Sequence, residues 1–63
     1  MNIDYEKLRQ DLIDYFGSAM VLFPASIMDV TRVENASNDE LLIIANQNSF
    51  DLSDYEVDKT FKL

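Results

Sequence analysis

The sequence predicts a small all-α domain, a single bundle of three to four short helices spanning residues 1–63. Between residues 4 and 22, apolar side chains recur at the spacing of one face of an amphipathic helix. Three later segments, which begin at Thr31, Ser37 and Ser53, have the Ser/Thr-x-x-Glu spacing of a helix capping box. The chain contains neither Cys nor His. Without disulfides or a zinc site, so short a domain depends on helix packing or self-association.

The first helix is predicted to begin after Asp4, its N-cap, and to reach about Leu22. Ile3 precedes the cap and Leu8 follows it at the spacing of a hydrophobic staple. An interior Gly costs a helix about 1 kcal/mol relative to Ala, so Gly17 indicates close packing at that point. The apolar stripe that should form the core contains Tyr5, Leu8, Leu12, Tyr15, Phe16, Ala19 and Phe23.

A second, short helix is predicted to begin at Pro24. Proline disfavours helical geometry at the preceding Phe23, whereas its missing N–H is harmless at the first position of a new helix. Ala25, Ile27 and Met28 should supply the buried side of this helix, together with Val30 if the helix reaches that far. The β-prone stretch 30–33 predicts that it ends there, with Thr31 and Glu34 spaced to nucleate one further turn.

The third helix is predicted to begin at the capping box Ser37-Asn-Asp-Glu40. The run Leu41–Ala45 that follows is apolar around the whole helix circumference, so this helix should be buried on most sides. Asn48 is predicted to end it in the left-handed conformation. An α+β alternative stays open, with residues 30–34 and 41–45 as the strands of a hairpin, although the capping box favours helix.

A short terminal helix is predicted from Ser53 to about Lys59. Ser53-Asp-Tyr-Glu56 repeats the capping spacing, with Leu52 and Val57 placed as a staple pair.

The charge and the residue types present exclude several classes of function. Twelve acids against five bases give a net charge of −7, which disfavours binding to nucleic acid or anionic membranes. Asp11 and Asp14 are neighbours on a helix face that should be solvated, so no catalytic residue is predicted. A calcium loop starting at Asp51 fails because Tyr55 and Glu56 occupy its fifth and sixth positions. We expect no enzyme activity, metal or cofactor.

The sequence also bears on localisation. The N-terminal residues lack the basic stretch and apolar core of a signal peptide, and the 14-residue uncharged run from Tyr15 to Met28 is shorter than the roughly 20 residues of a membrane span. We therefore expect a cytoplasmic protein.

The uncharged run from Tyr15 to Met28 predicts the functional surface. Val21 and Leu22 point away from the main stripe, so a miniature bundle should leave part of this run exposed, and large exposed apolar patches mark interfaces. We expect a non-enzymatic protein-interaction module that forms a homodimer. A different function, that of an acidic inhibitor or nucleic-acid mimic on a basic partner protein, is the alternative. The predicted interface consists of Ile13, Met20, Val21, Leu22, Phe23 and Met28.

Several segments resemble a group of small bacterial proteins of unknown function. They are Tyr5-Glu-Lys-Leu-Arg-x-Asp-Leu-Ile-Asp-Tyr-Phe-Gly-x-Ala-Met20, Val33-Glu-Asn-Ala-Ser37, Glu40-Leu, Ile44-Ala and Asn48-x-Phe-Asp-Leu-x-x-Tyr55. The resemblance covers nearly the whole chain and implies a compact domain without any known activity. Members tend to have Gly where this chain has Ser49, which leaves the left-handed turn to Asn48.

Overall fold

The structure, a computed structural model, describes residues 2–57 and has three α-helices in that part of the chain. Helix α1 spans Tyr5–Ala19, α2 spans Ile27–Glu34 and α3 spans Asn38–Gln47. Two 3₁₀ turns accompany them: Pro24–Ser26 leads into α2, and Leu52–Tyr55 follows α3. The all-α prediction is confirmed, and the hairpin alternative is wrong because both of its strands are helical.

The core lies where α1 packs against α2 and α3. Leu8, Leu12 and Phe16 follow one another at four-residue spacing on α1 and are all buried, as the stripe predicts. Tyr15 departs from the prediction, since it is about half exposed and places its ring edge-on to Phe16 and Phe50. The buried hydrophobic side chains are Ile3, Leu8, Leu12, Phe16, Val33, Ala36, Leu41, Ile44, Ala45 and Tyr55.

Helix α1 begins as predicted and ends earlier. The N–H of Lys7 donates to Oδ1 of Asp4 at 3.1 Å, which confirms the cap. Past Ala19 the backbone tightens into turns, in which the N–H of Leu22 donates to the carbonyl of Ala19 at 3.1 Å. Phe23 is extended (φ −131°, ψ 84°), as expected before proline. The last helical turn therefore unwinds before that residue.

Gly17 does not mark close packing. A Cβ built on this residue would have no neighbouring atom within 4 Å, so the prediction of a tight contact there is wrong. No steric demand for glycine is visible at this point of α1.

Helix α2 continues through the β-prone stretch instead of ending there. Val33 is completely buried, so its packing outweighs the weak local preference of valine for strands. Thr31 is not a cap: its hydroxyl donates to the carbonyl of Ile27, one turn earlier, at 3.1 Å.

Helix α3 confirms the predicted capping residue and corrects the predicted burial. The N–H of Glu40 donates to Oγ of Ser37 at 3.3 Å. The return bond of the capping box, from the Ser37 N–H to the Glu40 carboxylate, is not formed between these described residues. Leu41 and Ile44 are buried, but Ile43 is 53% exposed, so α3 is buried on one side and not on most sides.

The end of α3 is displaced by one residue from the prediction. Asn48 has right-handed geometry (φ −106°), and Ser49 takes the left-handed conformation (φ 64°). The N–H groups of Ser49 and Phe50 donate to the carbonyls of Asn46 and Ala45, the bond pattern of a Schellman motif. Because the Asn48 amide donates to the carbonyl of Ile44 at 2.8 Å, Asn48 is held as the last residue of the helical path.

The predicted terminal helix is wrong within the described residues. Asp51, not Ser53, is the cap of the turn Leu52–Tyr55, since its Oδ1 accepts from the N–H of Ser53 at 3.0 Å. Glu56 is extended (ψ 135°) and pairs with Ile3 in an antiparallel bridge. Residues 58 and 59 of the predicted helix lie outside the described residues.

The bridge consists of two flanking backbone hydrogen bonds. The N–H of Asp4 donates to the carbonyl of Tyr55 at 2.7 Å, and the N–H of Val57 donates to the carbonyl of Asn2 at 2.8 Å. These bonds need an extended backbone at residue 56, which excludes the continuing helix that local capping signals predict.

Candidate interaction surface

Five apolar side chains project into solvent where the chain passes from α1 to α2. Val21 is 84% exposed, Leu22 78%, Phe23 66%, Ile27 47% and Met28 74%. We call this set the apolar corner. They lie close together in the sequence, where turns and a 3₁₀ segment connect α1 to α2, and they do not belong to one long helix face.

The structure brings together four of the six residues predicted for the interface. Val21, Leu22, Phe23 and Met28 are all exposed at the corner. Met20, which follows the end of α1, is half-buried, and the sixth residue is described next.

Ile13 is half-buried and packs against the core from the middle of α1. It therefore lies at the edge of the core and not at the corner.

The sequence analysis also placed several of these residues on buried faces. Phe23 was placed on the core stripe as well as in the interface, but α1 ends before it and its side chain leaves the stripe. Ala25, Ile27 and Met28 were placed on the buried side of α2, and all three are exposed. The half-buried Val30 and buried Val33 define that side, and at 100° per residue Ile27 turns away from Val33.

Two charged residues on α2 lie beside the corner. Arg32 follows Met28 by four residues, so the two share a helix face, and Asp29 directly follows Met28. Asp29 and Arg32 also line a shallow groove of about 220 Å³. The other residues of the groove are Phe16, Val33, Ile44, Gln47 and Asn48.

The groove is a weak candidate for a small-molecule site. Its volume lies below the roughly 300–1,000 Å³ of typical ligand pockets. Residues 2–57 also contain no group of three or more acidic, His or Cys side chains that could hold a metal ion. No sequence signal indicates this groove, because it forms only where α2 and α3 both pack against α1.

A second polar cluster joins the segment after α3 to α1. The hydroxyl of Tyr55 donates to Oδ2 of Asp11 at 2.6 Å, and Nζ of Lys7 lies 3.5 Å from the same oxygen. Asp11 was predicted to face solvent, and it is instead partly covered by Tyr55.

The charges of this cluster follow from its geometry. The hydrogen bond from Tyr55 lowers the pKa of the Asp11 carboxyl below its ordinary value. Burial, together with the hydrogen bond to Asp11, raises the pKa of Tyr55 to about 12. Both shifts favour an ionised Asp11 and a neutral Tyr55. In these states the two side chains form the hydrogen bond that joins the segment after α3 to α1.

No protein-family model, curated protein or solved structure matches this chain. The resemblance to small bacterial proteins therefore stays a prediction. Within residues 2–57, no helix has both the length and the apolar character that crossing a bilayer requires.

Proposed function

We propose that this chain is a non-enzymatic protein-interaction module that forms a homodimer through the apolar corner. The observation that supports the proposal is the corner itself, five neighbouring apolar side chains that are each about half exposed or more. The chain otherwise carries a net charge of −7, so this uncharged surface contrasts with an acidic exterior. Large apolar patches on small proteins commonly mark interaction sites.

The small size of the core favours a second copy as the occupant. Domains of about 60 residues bury only about 60% of the surface that their unfolded chains expose, and their stability is marginal. The sequence contains no Cys for a disulfide. Pairing two corners about a two-fold axis would remove apolar surface from water and leave the acidic faces outward.

The compartment and the source belong to the same proposal. We place the module in the cytoplasm of a bacterium, on the basis of the resemblance described above. Fractionation of cells that express the chain, followed by immunodetection, tests the compartment.

Replacing Leu22 with Asp tests the dimer. Leu22 is 78% exposed, so the substitution should leave the fold of one copy intact. In a dimer it would bury a charge without a partner, which is costly. Sedimentation equilibrium should show a dimer for the unmodified protein and a monomer for Leu22→Asp.

Ile43→Asp is the matched control. Ile43 is 53% exposed on α3 and is not part of the corner, so this variant should remain a dimer. Circular dichroism verifies that both variants stay helical. If the unmodified protein sediments as a monomer at high micromolar concentration, the homodimer is wrong and the acidic-inhibitor alternative becomes the better hypothesis.

A further inference from the structure

We propose that two reciprocal ion pairs fix the register of the homodimer, with Asp29 of each copy contacting Arg32 of the other. This inference rests on the homodimer proposed above and adds the residues that align its two copies. The juxtaposition that carries it is a charged pair of opposite signs beside the apolar corner, on the same helix as Met28.

Arg32 makes no hydrogen bond or ion pair with the described residues, whereas the other cations among them are engaged. Lys7 lies 3.5 Å from Oδ2 of Asp11, which is the one ion pair within residues 2–57. Arg9 donates to three backbone carbonyls. Asp29 and Arg32 are three residues apart on α2 and still do not pair with each other. Within residues 2–57 neither charge has a partner; Arg32 is exposed and Asp29 is half-buried.

We expect an interface of ordinary size to extend beyond the corner. The largest apolar patches on monomers cover roughly 300–600 Å², whereas each side of a standard interface covers about 800 Å². The exposed face of α2 that continues from Met28 contains Thr31, Arg32 and Asn35. Asp29 lies at the edge of this face, half-buried on the groove side and next to Arg32, so an interface that extends along the face and across its groove edge includes both charges.

The mixture of signs favours a second copy over a different partner. In an isologous interface, residue i contacts residue j of the second copy, and j contacts i. A surface that carries one acid and one base, Asp29 and Arg32, can therefore pair with the same surface of a second copy, acid to base in both contacts. A basic helix would be attracted by the net charge of −7, but Arg32 at the edge of the corner would repel it. A strongly acidic partner would likewise meet Asp29.

Charge exchange tests the register. The proposed dimer has two equivalent contacts, each between position 29 of one copy and position 32 of the other. In a dimer of Asp29→Arg, each contact would join two arginines, and in a dimer of Arg32→Asp each would join two aspartates. We expect each single variant to dimerise at least tenfold more weakly than the unmodified protein. An equimolar mixture should form a heterodimer, because both contacts between the unlike variants are then of opposite charge. The double variant Asp29→Arg/Arg32→Asp should dimerise again.

Sedimentation equilibrium measures the single and double variants, and energy transfer between differently labelled variants measures the heterodimer. Asp54→Arg changes the net charge as Asp29→Arg does, at an exposed site after α3, and should not weaken the dimer. Circular dichroism verifies that each variant is folded.

The outcomes separate the two proposals. A monomeric unmodified protein overturns the homodimer and the register together. A dimer whose single variants associate normally, or whose mixture shows no preference for the heterodimer, overturns the register and leaves the homodimer in place.

Discussion

Arg9 stabilises the end of a helix to which it does not belong. From α1, its Nη1 donates to the carbonyls of Val33 at 2.9 Å, Glu34 at 3.2 Å and Ala36 at 3.0 Å. The last carbonyls of a helix have no partner within the helix, and they form its negative end. One guanidinium thus satisfies these acceptors and joins α1 to the end of α2.

Arg9→Met should therefore lower the free energy of unfolding by about 1.5–3 kcal/mol, the range for hydrogen bonds from a charged group. Urea denaturation followed by circular dichroism measures the change. Lys7→Met is the control, because its exposed ion pair with Asp11 is worth at most about 1 kcal/mol. Equal losses in the two variants would mean that the contacts of Arg9 contribute no more than a surface ion pair does.

Tyr55 gives the fold a sensitivity to alkaline pH. Its pKa of about 12 in the folded protein lies above the ordinary value of 10.0. Because the pKa of Tyr55 is higher in the folded than in the unfolded protein, the neutral side chain contributes its full stabilisation below the unfolded pKa. This contribution is lost as the pH rises from about 10 to about 12. Ultraviolet titration should show one tyrosine ionising near pH 12.

The variant Tyr55→Phe should lack that late ionisation and should lose less stability over the same pH interval. Tyr5→Phe is the control and should keep the late step. If the late step persists in Tyr55→Phe, the group that ionises there is not Tyr55.

Two serines precede helices and differ in what their side chains do. Ser37 accepts the N–H of Glu40 at the start of α3, whereas Ser26, at the start of α2, forms no such bond. Ser37→Ala should lower the free energy of unfolding by about 0.5–2 kcal/mol. Ser26→Ala should change it by less than about 0.5 kcal/mol, since it removes no cap. Denaturation midpoints compare the two, and equal values would refute the cap at Ser37.

Sequence signals predicted the starts of these elements better than their ends. A cap such as Asp4 or Ser37 bonds to a residue three positions ahead, so its signal lies within a few letters of sequence. The backbone of the described segment after α3 depends on a distant partner. The capping pattern at Ser53 does not start a helix, because Glu56 is extended and pairs with Ile3.

The candidate surface was likewise predictable only where a local sequence pattern determines it. The exposure of Val21 and Leu22 follows from an excess of apolar residues over the area that one helix face can bury. The spacing of Asp29 and Arg32 is local, but the groove that they line depends on how α2 and α3 each pack against α1. No local pattern encodes that packing, and none links Arg9 to the end of α2.

For the whole molecule, the proposed dimer couples stability to concentration. A dimer that forms only from folded copies shifts the unfolding equilibrium by mass action. The thermal midpoint of the unmodified protein should therefore rise over a hundredfold increase in protein concentration, and that of Leu22→Asp should stay constant. Circular dichroism in cells of different path length measures both. A constant midpoint in the unmodified protein would contradict the coupling.

The bridge between Ile3 and Glu56 has a kinetic consequence. It joins residues 53 positions apart (56 − 3), and the entropic cost of closing a loop rises with its length, so this loop costs more to close than the short loops between neighbouring helices. Folding should therefore begin with α1 and α2, and the bridge should close after the helices have shortened the effective loop. In the native state the same bridge can open without unravelling any helix. The amide protons of Asp4 and Val57 should then exchange with solvent sooner than those at the centre of α1.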